Sequence, residues 1–184
     1  AKKVKGKHIT YPGYHELAYL HPLRHQPGKT ELPLGNYIIV RFVSWQASHD
    51  VGEKGLKDKI SLVKELEKFL PVYITSESGV PKELSNNILK IKNKKDIFDI
   101  VAGAELIFGE GATMASEAAV LGTPAVYVNS LQLGFLKEQQ KDYGLVCNFI
   151  EEKPALDKAI ELLKNKNSKA EWQKKRQQML KEKI

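Results

Sequence analysis

The amino-acid sequence predicts an α/β protein, a doubly wound three-layer α/β/α sandwich around a mostly parallel six-stranded sheet. Two observations support this fold class. Short apolar runs bounded by glycine and proline recur along the chain, as is typical of buried parallel strands. Segments with helical periodicity separate these runs, as crossover helices between parallel strands do. The 184 residues, 42% of them hydrophobic, are enough for one domain with a sizeable core.

Composition divides the chain into an N-terminal arm of residues 1–36, a folded domain of residues 37–165 and a C-terminal basic helix of residues 166–184. The arm holds four of the five histidines and four of the eight prolines, which is typical of a loop. His21 and His25 have the helical spacing of a metal-binding pair, but Pro22 disfavours a regular helix between them. We therefore predict no metal site.

The first strand of the domain is predicted at 37–43, a β-branched and aromatic run that contains Arg41. A buried arginine requires a partner. Near the carboxyl end of a parallel strand, a ligand phosphate is a suitable one. The polar segment 44–52 follows this strand, at the edge where open parallel sheets bind ligands.

The next elements are predicted from the spacing of apolar residues and from the glycine and proline residues that end each segment. Apolar residues at helical spacing, with charged residues between them, predict an amphipathic helix at 55–70. Further predicted elements are a strand at 72–75, a polar turn at 76–79 beside the cleft, a helical turn at 81–87, a third strand at 88–91 and a helix at 95–102.

The central stretch, residues 104–129, predicts a strand at 106–108, a glycine turn, a helix at 112–121 and a strand at 125–128. The first N–H groups of a helix lack internal partners, and with the helix dipole they form an anion site that suits a diphosphate. Gly111, Ala112 and Thr113 lie at this turn, and Glu117 is placed to accept hydrogen bonds from a ribose diol. The alternative is an ordinary strand-to-helix turn with Glu117 facing solvent.

The C-terminal third predicts a helix at 131–143, a strand at 145–148, a helix at 154–164 and a final helix capped by Ser168. Trp172 and Met179 are seven residues apart on one face of that last helix. We expect these two side chains to be exposed or to mediate association.

The charge of +7 lies mostly at the two ends of the chain. Residues 1–7 carry four lysines and no acid, and residues 166–184 carry seven basic against two acidic residues. Because a nucleic-acid-binding domain has a basic stripe on its folded face, this distribution argues against nucleic-acid binding.

The single cysteine, Cys147, excludes an internal disulfide and lies in an apolar string typical of the core. The sequence contains neither a recognisable signal peptide nor an apolar run of membrane length. We therefore expect a cytoplasmic protein without membrane insertion.

The string G-x-x-x-x-x-E-A-x-x-x-G-x-P, from Gly111 to Pro124, fixes the turn, the carboxylate and the helix end together. It resembles the nucleotide-sugar signature in the C-terminal half of GT-B-fold enzymes, above all UDP-N-acetylglucosamine 2-epimerase and the lipid II-forming glycosyltransferases. The chain looks closest to an uncharacterised bacterial and archaeal family, a domain of unknown function, related to these enzymes.

This resemblance implies a Rossmann-like sheet that is the second half of a GT-B enzyme, with UDP or a UDP-sugar as ligand and no separate cofactor. The partners that it implies are the nucleotide sugar and a missing N-terminal domain of the same protein, with homo-oligomerisation possible. The isolated chain is then expected to be inactive. The epimerase turn is D-S-G-G, whereas residues 110–113 read E-G-A-T, so the reaction itself stays open.

The resemblance also assigns residues. Arg41, Ser44 and His49 match the functional positions after the first strand, with His49 as the candidate catalytic residue. Backbone at Ile91, Lys92 and Asn93 is implied to contact uracil. A similar string in the family makes Tyr14, His15 and Glu16 candidates for the cleft wall, although an ordered arm packed on the domain is an equal alternative.

Two other functions remain open at this point. One is a non-catalytic nucleotide-binding or regulatory module of the same fold, and the other is a nucleic-acid-binding protein that uses both basic ends. A dinucleotide dehydrogenase is disfavoured, because G-x-G-x-x-G would follow its first strand, and here that strand runs into R-F-V-S-W.

Overall fold

The computed structural model describes residues 11–28, 35–44, 56–91 and 93–183. Within these ranges the sheet has five strands, all of which pair in parallel in the order β2-β1-β3-β4-β5. The predicted doubly wound α/β class is confirmed. The strands are β1 Ile38–Phe42, β2 Val72–Ser76, β3 Leu106–Gly109, β4 Ala125–Val128 and β5 Val146–Phe149.

Helices connect these strands and cover the sheet. The helices of the described residues are α1 Leu17–Leu20, α2 Lys59–Glu67, α3 Asp96–Gly103, α4 Ala112–Leu121, α5 Gly134–Lys141, α6 Glu152–Lys164 and α7 Ser168–Glu182, together with a 3-10 helix at Lys82–Asn87. Helix α4 and strand β4 have the predicted bounds. Gly122 ends α4 in the left-handed conformation, with φ of 75°, and the Pro124 carbonyl accepts the Ile107 N–H at 2.8 Å.

The chain winds in two directions from β1. The connection from β1 to β2 runs toward one edge, whereas β3, β4 and β5 follow one another toward the other edge. Helices α4 and α6 both pack on β3, β4 and β5. The order of the strands therefore reverses between β1 and β3, and open α/β sheets bind ligands beside such a switch point.

The prediction of a third strand at 88–91, and with it of a six-stranded sheet, is wrong for the described residues. Only Ile88 pairs, as an isolated parallel bridge to Ile74, and Leu89 N–H donates to the Ile74 carbonyl at 2.9 Å. After this single bridge the chain leaves the sheet edge, because it must cross β1 to reach the position of β3.

The prediction for the last helix is also corrected. Trp172 is 3% exposed and Met179 is fully buried, so neither side chain is available for association. The Trp172 indole N–H donates to the Leu145 carbonyl at 2.7 Å. Helix α7 packs on α4, and its Arg176 donates to the Val120 carbonyl near the C-terminus of α4 at 2.6 Å. Positive charge at that end is favourable to the helix dipole.

Ser168 begins α7 but does not cap it. Its hydroxyl donates to the Leu162 carbonyl at 2.8 Å, and Asn167 occupies the N-cap position. In the ranges that the structure describes, no helix combines the length and the hydrophobicity that are needed to cross a bilayer.

Candidate functional site

A cavity of about 660 Å³ opens at the carboxyl ends of β1, β3 and β4, beside the switch point of the sheet. This volume is within the range of pockets for small molecules and cofactors. The described residues that line it are Arg41, Val43, Ser44, Glu77, Ile97, Glu110, Gly111, Ala112, Thr113, Met114, Glu117, Tyr127, Asn129, Leu131, Leu133 and Phe135.

The N-terminus of α4 forms one wall of this cavity. Gly111 is the N-cap residue and has no side chain to cap the helix, and the residues of the first turn, Ala112 to Met114, line the cavity. The Ala115 N–H donates to the Gly111 carbonyl at 3.1 Å, which begins the helical hydrogen-bond ladder. The preceding N–H groups lie in the first turn, where a helix binds anions.

Two glycines allow β1 and the turn before α4 to approach each other closely. A Cβ atom on Gly109 would lie 2.2 Å from the Arg41 carbonyl oxygen, and one on Gly111 would lie 2.8 Å from Arg41 Cγ. The space beside Gly111 is therefore filled by the Arg41 side chain. Gly111 still brings the start of α4 and the guanidinium group to the same cavity wall.

Arg41 forms an ion pair with Glu77 at the end of β2. Arg41 Nη2 and Glu77 Oε1 are 2.5 Å apart, and the two side chains are 23% and 47% exposed. The Ser44 N–H and hydroxyl also lie 3.4 Å from Glu77 Oε2. The partner of Arg41 in the structure is thus a carboxylate. The sequence indicated only that the turn at 76–79 lines the cleft.

Glu110 links the cavity to the chain on both sides of residues 45–55. Its side chain is fully buried, and its two oxygens accept the N–H groups of Val43 at 3.1 Å and Leu56 at 2.8 Å. Lys59 Nζ lies 3.9 Å from Glu110 Oε2, and the Asn129 amide donates to the Glu110 carbonyl at 3.2 Å. The sequence pattern assigns no role to Glu110, because its partners Val43 and Leu56 are distant along the chain.

Glu117 lines the cavity between one and two turns into α4, as its place in the sequence predicts. Its Oε1 accepts a hydrogen bond from the Tyr19 hydroxyl at 3.0 Å. Burial raises the pKa of the Glu117 carboxyl and Glu16 raises it further, whereas the Tyr19 hydrogen bond and Arg41 lower it. The alternative of a solvent-facing Glu117 does not describe this half-buried side chain.

The cavity combines features for binding an anion with features for binding hydroxyl groups. Its charged lining residues among those described are Arg41 and three glutamates, Glu77, Glu110 and Glu117. The groups suited to an anion are the first-turn N–H groups of α4 and the Arg41 guanidinium. The Glu117 carboxylate is the suitable acceptor for hydroxyl donors.

A second cavity of about 410 Å³ adjoins the first and shares Arg41, Ile97 and Met114 with it. Ile91, one of the three residues implied to contact uracil, lines this cavity. Asn93 is exposed, and its Oδ1 accepts the Lys95 N–H at 3.1 Å in the turn before α3. Lys92 and His49 lie outside the described residues.

The candidate cleft-wall residues of the arm do not line either cavity. Tyr14 and Glu16 are buried in the fold, at 5% and 6% exposure. His15 is exposed and contacts the edge of the Tyr19 ring. Among the described residues of the arm, Tyr19 reaches the site through its hydrogen bond to Glu117.

Among the described residues, neither a metal-binding group nor the thiol lies at the cavity. The described part of the chain contains no group of three or more His, Cys, Asp or Glu residues that could hold a metal ion. Cys147 packs against the core on β5, where burial raises the pKa of its thiol. It does not line the cavity.

Several solved structures are similar to this chain at low identity. The glycotransferase of kitacinnamycin has 15% identity and a TM-score of 0.47, with 78% of this chain and 39% of that chain covered. The wall teichoic acid polymerase TagF has 13% identity and a TM-score of 0.48, with coverage of 92% and 44%.

A candidate UDP-N-acetylglucosamine 2-epimerase from Listeria monocytogenes has 12% identity and a TM-score of 0.48, with coverage of 92% and 42%. The chain thus spans about two fifths of the length of these proteins. At these values the similarity carries no argument about the reaction. No curated protein matches the sequence.

The sequence does match one family model, over residues 57–179. This range includes α4, Glu110, Gly111 and Glu117, and it is about two thirds of the chain. The expected relation to an uncharacterised family is confirmed. The chain belongs to the family described as protein of unknown function (DUF354).

Proposed function

We propose that this chain is the nucleotide-sugar-binding half of a glycosyltransferase or of an enzyme like UDP-N-acetylglucosamine 2-epimerase, with UDP or a UDP-sugar as its ligand. One observation carries the proposal: the N-terminus of α4 opens into the cavity beside the switch point of the sheet, and Glu117 follows on the same helix. In this proposal the α4 N-terminus serves as the anion site and Glu117 as the hydroxyl acceptor, in the order that a nucleoside diphosphate requires.

The diphosphate binds at the first turn of α4 in this proposal. The N–H groups at Gly111, Ala112 and Thr113 are its donors, and the Thr113 hydroxyl is a further one. Arg41 neutralises phosphate charge in this proposal. To do so, its guanidinium group leaves Glu77 and pairs with the ligand phosphate instead. Ser44 contacts the same glutamate and so lies beside the position where the phosphate would replace Glu77.

The ribose binds at Glu117. One oxygen of this carboxylate already accepts the Tyr19 hydroxyl, so the second oxygen is the proposed acceptor for a ribose hydroxyl. The adjoining cavity, which Ile91 and Ile97 line, is of suitable size for the base. Uracil contacts at Lys92 and Asn93 are part of the proposal through the family resemblance.

The electrostatic task of the site is to stabilise the departing diphosphate. Both glycosyl transfer and UDP elimination place negative charge on that group, so the same residues serve either reaction. His49 is the proposed catalytic residue on this chain. The other half of the cleft is proposed to come from an N-terminal domain, so we predict no turnover by this chain alone. A cytoplasmic location belongs to the same proposal, supported by the single cysteine.

The proposal is tested by calorimetric titration of the purified chain with UDP, UDP-N-acetylglucosamine and NAD. We expect binding of the two uridine nucleotides. Glu117→Ala should weaken it by about 1–3 kcal/mol, the usual cost of leaving hydrogen-bond partners unpaired.

Glu161→Ala is the matched control, because Glu161 is an exposed glutamate on α6 that does not line the cavity. It should bind like the wild type. Binding of NAD alone, or of no nucleotide, would contradict the proposal.

A further inference from the structure

We propose that Tyr19 is a positioning residue of the nucleotide site, which holds the Glu117 carboxylate in the orientation that receives a ribose hydroxyl. The inference rests on the proposed function and adds to it a residue of the N-terminal arm. Tyr19 and Glu117 are 98 positions apart in sequence and are joined by a 3.0 Å hydrogen bond from the phenol to Oε1.

The Tyr19 ring is itself held in place by two neighbours. Phe98 on α3 packs against it with ring centroids 5.5 Å apart, and His15 meets it edge-on at 6.0 Å. Helix α1, which contains Tyr19, packs on α4. The Tyr19 hydroxyl is therefore a donor in a fixed position, and it reaches Glu117 from α1, outside helix α4.

A glutamate on a helix has several side-chain rotamers, and ordering it when a ligand binds costs free energy. The Tyr19 hydroxyl removes part of this cost, because it fixes one oxygen before the ligand arrives. The other oxygen of the same planar carboxylate then has a defined direction at the cavity wall. This is how a positioning residue raises affinity without contact to the ligand.

The charges around Glu117 give the Tyr19 hydrogen bond a second consequence. Burial and Glu16 on the arm raise the pKa of Glu117, whereas the Tyr19 hydrogen bond and Arg41 on β1 lower it. Burial and Glu117 also raise the pKa of Tyr19, so its hydroxyl stays protonated and continues to donate. Tyr19 thereby favours the ionised acceptor form of Glu117.

The test compares wild type and Tyr19→Phe, which removes only the hydroxyl, by UDP titration across the acid range. We expect Tyr19→Phe to bind UDP about three- to tenfold more weakly, the effect of one hydrogen bond. Affinity that depends on ionised Glu117 is lost as pH falls through its pKa. In Tyr19→Phe this loss should begin at higher pH, because one of the two groups that lower the Glu117 pKa is gone.

Tyr11→Phe is the matched control, because Tyr11 lies on the same arm and is 65% exposed. It should leave affinity and its pH dependence unchanged. In a Glu117→Ala background, Tyr19→Phe should have no further effect, since a positioning residue acts only through its partner.

Carbon-13 NMR titration of the Glu117 carboxyl without ligand gives a readout that a merely structural Tyr19 would not change. A higher Glu117 pKa in Tyr19→Phe, with a similar melting temperature, supports the inference. If wild type binds UDP but Tyr19→Phe matches it in affinity and in Glu117 pKa, the inference fails and the proposed function stands. If wild type does not bind UDP, both fail.

Discussion

Gly111 lies against the side chain of Arg41, so closely that a Cβ atom at position 111 would be 2.8 Å from Arg41 Cγ. The contact joins the N-cap of α4 to a strand that precedes it by 70 positions. It also brings the guanidinium group and the first turn of the helix to one cavity wall.

Gly111→Ala should displace Arg41 and weaken its pair with Glu77. We expect a loss of about 1–3 kcal/mol in the free energy of unfolding, as for other overpacked sites, because Cγ lies in the middle of the side chain and cannot simply swing away. Urea denaturation measures the change. Gly134→Ala is the control, because a Cβ there meets no atom within 4 Å and alanine favours the helix. Equal stability of the two variants would contradict the prediction.

Glu77→Gln should increase the affinity for UDP. The substitution removes one negative charge from the cavity wall and weakens the competitor for Arg41. We expect an increase of about two- to fivefold, given the modest energies of exposed ion pairs. Calorimetry with Glu83→Gln, an exposed acid outside the cavity, as control measures this. A weaker binding of UDP would show instead that Glu77 holds Arg41 in its productive position.

Glu110→Gln should destabilise the fold although it keeps the shape of the side chain. Both oxygens of Glu110 accept backbone N–H groups, and glutamine would turn its own N–H₂ group toward one of these donors. We expect a loss of about 1–3 kcal/mol in the free energy of unfolding. Glu65→Gln, in an exposed pair with Lys68, should change it by less than about 0.5 kcal/mol. A stable Glu110→Gln variant would show that one acceptor is enough.

Lys169 should make stability depend on pH in the alkaline range. It lies at the start of α7, where its ammonium donates to the Ala102 carbonyl at 2.6 Å and to the Thr123 hydroxyl at 3.1 Å. Burial lowers its pKa from 10.5 to about 8. Between these values the unfolded chain binds more protons than the folded one, so its contribution to stability rises with pH.

The check is the difference in the free energy of unfolding between wild type and Lys169→Met, measured between pH 7.5 and about 10. Other titrating groups are common to both proteins and cancel. We expect the difference to move in favour of wild type as pH rises. Movement in the opposite direction would show that the surrounding oxygens stabilise the charged ammonium more than burial destabilises it.

The sequence alone determined the central unit of the fold. Helix α4 and strand β4 have the predicted bounds, because Gly111, Gly122 and Pro124 act on the backbone next to them. The parallel α/β class followed from the alternation of short apolar runs with helical periodicity, which is likewise a local signal. The position of Glu117 at the cavity followed from its spacing on the helix.

Only the tertiary structure decided which groups meet at the site. Glu77 pairs with Arg41 and Tyr19 with Glu117 because the strand order and the packing of α1 on α4 bring distant segments together. No spacing along the chain encodes such contacts. Trp172 is buried for the same reason: the amphipathic pattern of a helix shows which face is apolar, and packing alone decides what covers it.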